Sequence, residues 1–114
     1  MADSANNEFD LVILGAGTGG YYAAFRAKQL GLSVAVVERD KIGGVCLHRG
    51  CVPTKAFLKS AHFFHDVQHA STWGVELPGD AKMNFQAVLD RSLSIVEKQY
   101  KGLQYLFDKK NKVP

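Results

Sequence analysis

The sequence predicts an α/β fold with a parallel sheet, and three features support that prediction. A short apolar block, FDLVIL at residues 9–14, leads into a glycine-rich turn, GAGTGG at residues 15–20. A segment with helical character follows, and a second apolar block, SVAVVE, occupies residues 33–38. Blocks of Leu, Val and Ile on either side of a helix are typical of parallel strands joined by a crossover connection. The order strand, glycine turn, helix and strand therefore predicts a Rossmann-like βαβ unit.

The first three elements follow from this pattern. Residues 9–14 are expected to form a strand that is buried on both faces, because Leu, Val and Ile are consecutive there. A helix is predicted from Tyr21 to Leu30, and Gly31 stands where a C-terminal cap is expected. The second strand is predicted at residues 33–38.

The remainder of the chain is predicted to be mostly helical. Residues 40–55 are rich in glycine and are expected to be irregular, whereas residues 56–69 are expected to be helical. A loop is predicted at residues 71–82. A long amphipathic helix is predicted over residues 84–110, because apolar residues recur there mainly at steps of three and four. These residues are Phe85, Val88, Leu89, Val96, Tyr100, Leu103 and Phe107.

The small number of strands bears on the domain organisation. Residues 1–8 are predicted to be a flexible tail, and residues 9–114 a single, partial domain. Two parallel strands do not make an independent sheet, since parallel sheets normally have more strands and are covered on both faces. We therefore expect the sequence to be the front part of a larger fold.

The composition excludes several classes of protein. With 46% hydrophobic and 22% charged residues, the sequence resembles a folded globular domain rather than a disordered segment. The net charge of +3 is mild, and no dense basic stripe is present, so nucleic-acid binding is not expected. The longest uncharged stretch, residues 11–25, is too short to span a membrane. The N-terminus lacks the features of a secretory signal, so a cytoplasmic location is expected.

The glycine-rich turn has the spacing of a dinucleotide-binding motif. Gly15 permits a tight turn, Gly17 lets the backbone approach a pyrophosphate, and Gly20 allows the helix to pack closely on the strand. The N-terminus of the following helix offers free N–H groups to phosphate. Glu38 ends the second strand and can accept hydrogen bonds from the ribose hydroxyls of adenosine. The pattern predicts a dinucleotide without a 2′-phosphate, but it does not distinguish FAD from NAD.

Two cysteines, Cys46 and Cys51, lie five residues apart in a glycine-rich segment. In a regular helix their Cα atoms would be roughly 8–9 Å apart, whereas a disulfide needs about 4.4–6.8 Å. A disulfide would therefore require a break in the helix, for which Gly50 and Pro53 are suited. Four interpretations remain open at this point. The pair could be redox-active, a structural disulfide, inert packing residues, or zinc ligands together with His48.

Three further histidines, His62, His65 and His69, fall on one side of a predicted helix. Zinc sites with histidine ligands usually have cysteine or carboxylate ligands as well. We interpret these histidines as a solvated helix face, and no metal site is predicted.

The motifs together resemble one family. GAGTGG after FDLVIL, Glu38 after SVAVV, and GGVCLHRGCVPTK at residues 43–55 resemble the pyridine nucleotide–disulfide oxidoreductases of the glutathione reductase-like class. Within that class, residues 21–44 and 91–113 are most similar to the dihydrolipoyl dehydrogenase branch. The resemblance covers residues 8–113 and implies a Rossmann-like FAD-binding domain, here incomplete.

The resemblance also implies which residues contact FAD. The glycines of the turn would hold the pyrophosphate and Glu38 the adenosine ribose, with Arg39 near the adenine. Gly43 and Gly44 would let the backbone approach FAD. Val45 stands where the family often has threonine, so a hydroxyl contact to the cofactor is missing. Lys55 would lie near the flavin N5. The full set of expected contacts is Gly15, Gly17, Gly20, Glu38, Arg39, Gly43, Gly44, Val45 and Lys55.

A redox-active Cys46–Cys51 disulfide is likewise implied by the resemblance. Cys46 would exchange with the dithiol substrate, and Cys51 would be the charge-transfer thiol near the flavin. The implied reaction is oxidation of dihydrolipoamide to lipoamide with FAD as cofactor and NAD⁺ as acceptor. The implied partners are the lipoyl domain of a 2-oxo acid dehydrogenase complex and a second copy in a homodimer.

Two alternatives accompany this interpretation. The first is another disulfide reductase of the same class, of the mercuric or glutathione type. The second is a non-catalytic nucleotide-binding fragment. Because the resemblance also implies NAD-binding and dimerisation domains, we expect the 114 residues alone to be inactive.

Overall fold

The structure, a computed structural model, describes residues 8–114. Strand β1 spans Leu11–Leu14 and strand β2 spans Val34–Val37, and helix α1, Thr18–Gln29, connects them. The strands are parallel, with Leu11 opposite Val34 and Leu14 opposite Val37. The predicted βαβ unit is therefore confirmed, whereas residues 1–7 of the predicted tail lie outside the described residues.

Three further helices follow the βαβ unit. Helix α2 is a short segment, Gly44–His48, and helix α3 spans Cys51–Gln68. A 3₁₀ turn at Ala70–Trp73 begins the long connection to helix α4, Phe85–Tyr105. The chain then makes a π-helical turn at Leu106–Asn111. None of the helices described between residues 8 and 114 is both long and apolar enough to cross a membrane.

The prediction of an irregular segment at residues 40–55 is wrong, because α2 and the first turn of α3 lie within it. Gly43 and Gly50 precede the two helices as N-cap residues, so these glycines lie outside the helices. Pro53 is in the first turn of α3, where a helix does not need the backbone N–H that proline lacks. The glycines and the proline that led to the prediction of an irregular segment therefore lie at helix ends.

The ends of α1 show one error and one confirmed prediction. The helix begins three residues earlier than Tyr21, because the last two glycines of the turn belong to its first turn. Gly31 caps it as expected, with a φ of +89°. The N–H of Leu32 donates to the carbonyl of Ala27 at 3.1 Å, as in a Schellman motif.

The core lies between one face of the two-stranded sheet and the helices. Val34 is 1% exposed, and Leu11 and Ile13 pack against the same cluster. On the opposite face Leu14 is 82% exposed and Val37 56% exposed. The prediction that the first strand is buried on both faces is therefore wrong for the described residues, whose helices cover only one face. The buried cluster comprises Ala16, Ala24, Ala27, Val34, Leu47, Leu103, Phe107 and Val113.

Helices α3 and α4 pack together. The side chain of Asn84 caps α4 by accepting the N–H of Ala87 at 3.0 Å. Arg91 of α4 donates to the carbonyl of Ala56 in α3 at 3.2 Å. The predicted long helix is confirmed as far as Tyr105, after which the π-helical turn brings Val113 into the core.

We predict that Gly20→Ala lowers the free energy of unfolding by about 1–3 kcal/mol. A Cβ on Gly20 would overlap the carbonyl oxygen of Gly15, which belongs to backbone and cannot move aside freely. Gly19→Ala is the matched control, because its Cβ would meet nothing within 4 Å. Urea denaturation of both variants measures the difference, and equal stabilities would contradict the close approach of α1 to the turn.

Candidate functional site

The glycine-rich turn lies at the carboxyl end of β1 and leads into α1. Gly15 has a φ of +95°, and its N–H donates to the carbonyl of Val37 at 2.7 Å, which ties the turn to β2. Gly17 is the N-cap of α1 and has no side-chain cap, and the first turn of α1 carries no acidic residue. The helix's own side chains therefore neither cap its first N–H groups nor neutralise its positive dipole end. Such an end suits a pyrophosphate.

A second pair of glycines packs directly against this turn. Gly43 has a φ of +101°, and its N–H donates to the carbonyl of Ala16 at 2.7 Å. A Cβ on Gly44 would lie 2.9 Å from the Cα of Gly17. The backbone at the start of α2 therefore touches the backbone at the start of α1. The structure brings together the two glycine motifs that the sequence separates by more than twenty residues.

Glu38 follows β2, and its carboxylate holds this arrangement together. One oxygen accepts the N–H of Ala16 at 2.7 Å, and the other accepts the N–H of Asp40 at 2.9 Å. These bonds, chiefly the one from Ala16, keep the pKa of the Glu38 carboxyl below its usual value of 4.5. Each carboxylate oxygen can accept more than one hydrogen bond, so ribose hydroxyls can bind as well.

A cavity of about 450 Å³ opens beside these groups, at the carboxyl ends of both strands. Arg39 and Val45, for which contacts with FAD are predicted, line this cavity, and Val45 is 69% exposed. Arg49, which also lines it, pairs with Asp40 at 3.1 Å. Parallel α/β sheets bind ligands at this edge. We call this space the nucleotide cavity, and it is lined by Leu14, Gly15, Val37, Glu38, Arg39, Asp40, Lys41, Gly44, Val45, His48 and Arg49.

The two cysteines are joined in a disulfide at the break between two helices. Cys46 lies in α2 and Cys51 is the first residue of α3, and their Cα atoms are 4.6 Å apart. The expected departure from regular helix occurs at Arg49 and Gly50. A Cβ on Gly50 would lie 3.0 Å from the carbonyl oxygen of Val45, so the break also needs a small residue.

The zinc interpretation of the cysteines is wrong for this structure. Both sulfurs are bonded to each other, and His48 Nε2 lies 2.9 Å from the carbonyl oxygen of Ile42. The His48 ring also packs edge-on against Tyr100, with ring centroids 5.0 Å apart. Within residues 8–114 no three His, Cys, Asp or Glu side chains are grouped so as to hold a metal ion.

A second cavity, of about 420 Å³, has Cys46 in its wall. Cys46 is half-buried, whereas Cys51 is exposed. No charged side chain lines this cavity, in contrast to the nucleotide cavity. We call it the thiol cavity, and it is lined by Thr18, Tyr21, Tyr22, Gly43, Cys46, Leu47, Val52, Gln99, Gly102, Leu103 and Leu106.

Sequence reasoning missed most of the thiol cavity. Its residues come from α1, α2, α3 and α4, and Leu103 is more than fifty positions from Cys46. The helical periodicity of α4 indicates which residues face inward, but not which other element they face. Lys55 lies one turn after Cys51 on the same side of α3 and does not line the nucleotide cavity, so its position near a flavin stays a prediction.

Comparison with known proteins agrees with this geometry. A family model described as pyridine nucleotide-disulphide oxidoreductase matches residues 9–113. The chain belongs to this family. It is 50% identical over 102 residues to a dihydrolipoyl dehydrogenase of Bacillus subtilis (strain 168), covering 90% of this chain and 21% of the relative. Proteins of the same name from Rhizobium etli and Staphylococcus aureus are each 45% identical, covering 99% and 93% of this chain. The chain spans about a fifth of the length of these three relatives.

We predict that Glu38→Gln lowers stability in a pH-dependent way. The folded-state pKa of Glu38 lies below its usual value of 4.5, so its stabilisation is fully present above that pH. The stabilisation is lost as the pH falls through the folded-state pKa. The stability difference between the wild type and the variant should therefore be constant near neutrality and shrink below about pH 4.5.

Asp10 supplies the control for this measurement. Hydrogen bonds from Ser33 also lower the pKa of Asp10, so Asp10 contributes a pH dependence of the same sign. Comparing Glu38→Gln in the wild-type and Asp10→Asn backgrounds isolates the effect of Glu38. A difference that does not change between pH 6 and pH 3 would show that the Glu38 bonds are not formed.

Proposed function

We propose that this chain is the FAD-binding and disulfide-carrying part of a dihydrolipoyl dehydrogenase. The Cys46–Cys51 disulfide would take electrons from dihydrolipoamide, and NAD⁺ would be the final acceptor. One observation carries the proposal. The disulfide joins α2 to α3 at a helix break, the start of α2 packs against the glycine-rich turn, and Cys46 lies in the wall of the thiol cavity, which no charged side chain lines.

The residues around the nucleotide cavity fit FAD. The N-terminus of α1, which has no side-chain cap and no acidic residue in its first turn, suits the pyrophosphate. Gly44 lies so close to Gly17 that a side chain on Gly44 would not fit, and the protein backbone is expected to contact the cofactor at this point. Glu38 is positioned by two backbone N–H groups and suits the ribose hydroxyls. When bound, FAD supplies the transfer of an electron pair between the thiols and the nicotinamide.

The protein's own step is a thiol–disulfide exchange. A thiolate of the substrate attacks Cys46 Sγ, the Cys46–Cys51 bond breaks, and Cys51 leaves as a thiolate. The second substrate thiol, as its thiolate, then attacks the substrate sulfur of this mixed disulfide and releases Cys46. The substrate is oxidised to its cyclic disulfide, the protein disulfide is reduced to two thiols, and the two substrate protons pass to the protein thiols or to solvent.

The position of Cys51 favours its role as the leaving thiolate. It is the first residue of an 18-residue helix whose first turn contains no acidic side chain. The positive end of a helix dipole stabilises a thiolate. Lys55 adds a positive charge one turn further along the same side. Cys51 and Lys55 are both exposed and therefore accessible to a flavin.

The thiol cavity favours a neutral dithiol over glutathione as the substrate. Glutathione carries carboxylates, which lose hydration on entering a cavity without a cationic partner. Among the lining residues of the thiol cavity there is no Lys, Arg or His. The dithiolane of lipoamide is apolar, and its arm ends in a neutral amide. The corresponding partner would be the lipoyl domain of a 2-oxo acid dehydrogenase complex, with the flavoprotein acting as a homodimer.

We predict that dihydrolipoamide reduces the disulfide to two free thiols per chain, as measured by alkylation and mass spectrometry. Reduced glutathione at the same thiolate concentration should react at least about tenfold more slowly, a factor that corresponds to roughly 1.4 kcal/mol. Dihydrolipoic acid, which differs from dihydrolipoamide by one carboxylate, is the matched control and should react at an intermediate rate. Equal rates for all three compounds would contradict the proposed substrate class.

A further inference from the structure

Gly102 is a glycine that the fold does not require. It lies inside α4, and its φ is not in the left-handed region that favours glycine. A Cβ built on it meets nothing within 4 Å, so no neighbour forbids a side chain. Glycine is also less favourable than alanine in the interior of a helix. The sequence therefore keeps a destabilising residue where both backbone and packing would accept a better one.

The residues around Gly102 suggest why glycine is present at this position. Gly102 lines the thiol cavity together with Cys46, and a side chain there would enter open space at the cavity wall. Gln99 and Leu106, one turn before and one turn after it, line the same cavity. On α1, Tyr21 and Tyr22 also line it, with stacked rings whose centroids are 4.8 Å apart.

We infer that Gly102 determines specificity by keeping the passage to Cys46 wide enough for a bulky, neutral dithiol. This inference rests on the proposed function. The aromatic pair supplies an apolar surface suited to a dithiolane and its hydrocarbon arm. Because Gly102 has no side chain, α4 does not project into the thiol cavity at this position. A side chain at this position would leave the disulfide chemistry intact and obstruct large substrates more than small ones.

The test compares Gly102→Ala and Gly102→Leu with the wild type. Ser94→Ala and Ser94→Leu are matched controls, because Ser94 is an exposed residue of the same helix that does not line the thiol cavity. The first readout is the rate of disulfide reduction by dihydrolipoamide relative to that by the smaller dithiothreitol. We expect this ratio to fall at least about tenfold in Gly102→Leu, within the range that misfit in a pocket produces. We expect a smaller fall in Gly102→Ala and no change in the Ser94 variants.

The second readout does not depend on lipoamide. The reduced chain is treated with a small maleimide and with a bulky one, and the rates at the two cysteines are followed separately. Trypsin cleaves after Arg49 and therefore places Cys46 and Cys51 on different peptides. Gly102→Leu should slow the bulky reagent at Cys46, with Cys51 as the internal reference.

The possible results distinguish a failure of this inference from a failure of the proposed function. If the wild type reacts well with dihydrolipoamide and neither readout changes in the Gly102 variants, the inference is overturned and the proposed function stands. If the wild type fails with dihydrolipoamide but Gly102→Leu still shields Cys46 from the bulky maleimide, the passage is supported and the proposed substrate is wrong. Gly102→Ala should also have a higher thermal midpoint than the wild type. A lower midpoint would mean that the fold itself needs the glycine, which would overturn the inference.

Discussion

The direct contact between two stretches of glycine backbone is the constraint on which the site depends. The start of α1 and the start of α2 approach so closely that a Cβ on Gly44 would lie 2.9 Å from Gly17. A hydrogen bond from Gly43 to Ala16 and the Glu38 carboxylate fix the same region. Because α2 carries the first cysteine, this contact also fixes the disulfide relative to the glycine-rich turn. A side chain at Gly44 would push the starts of α1 and α2 apart.

Helix α2 is only five residues long, yet it separates two cavities of different chemistry. Val45 and His48 line the nucleotide cavity, whose wall also contains three Lys or Arg residues and two acids. Cys46 and Leu47 line the thiol cavity, whose wall contains no charge. Two cavities, one with charged side chains in its wall and one without, thus lie on the two sides of one helical turn. Under the proposed function, the disulfide that begins in this helix would pass electrons from the dithiol to the flavin.

Much of this arrangement could be predicted from local sequence signals. The βαβ unit, the cap at Gly31 and the position of Glu38 depend on residues close together in the chain, and the structure contains all three. The spacing of the cysteines correctly required a break in the helix. Helix α2 was missed because its flanking glycines counted against a helix, although glycine at a helix end is favourable.

The remaining features depend on contacts between distant segments. The exposed face of the sheet follows from where the helices pack, which the apolar composition of the strands does not specify. The thiol cavity combines Thr18 with Leu106, and no local pattern links residues so far apart. The sequence shows Gly102 only as a residue that destabilises a helix. That a side chain at this position would meet open space is seen only in the folded structure.

We propose that the two sulfurs contact different ligands, the dithiol at Cys46 and the flavin at Cys51. The most direct measurement is the alkylation rate of each cysteine in the reduced protein, with and without saturating FAD, read from the two tryptic peptides. We expect FAD to slow the alkylation of Cys51 and to leave the rate at Cys46 unchanged. Protection of Cys46 instead, or equal effects on both cysteines, would contradict it.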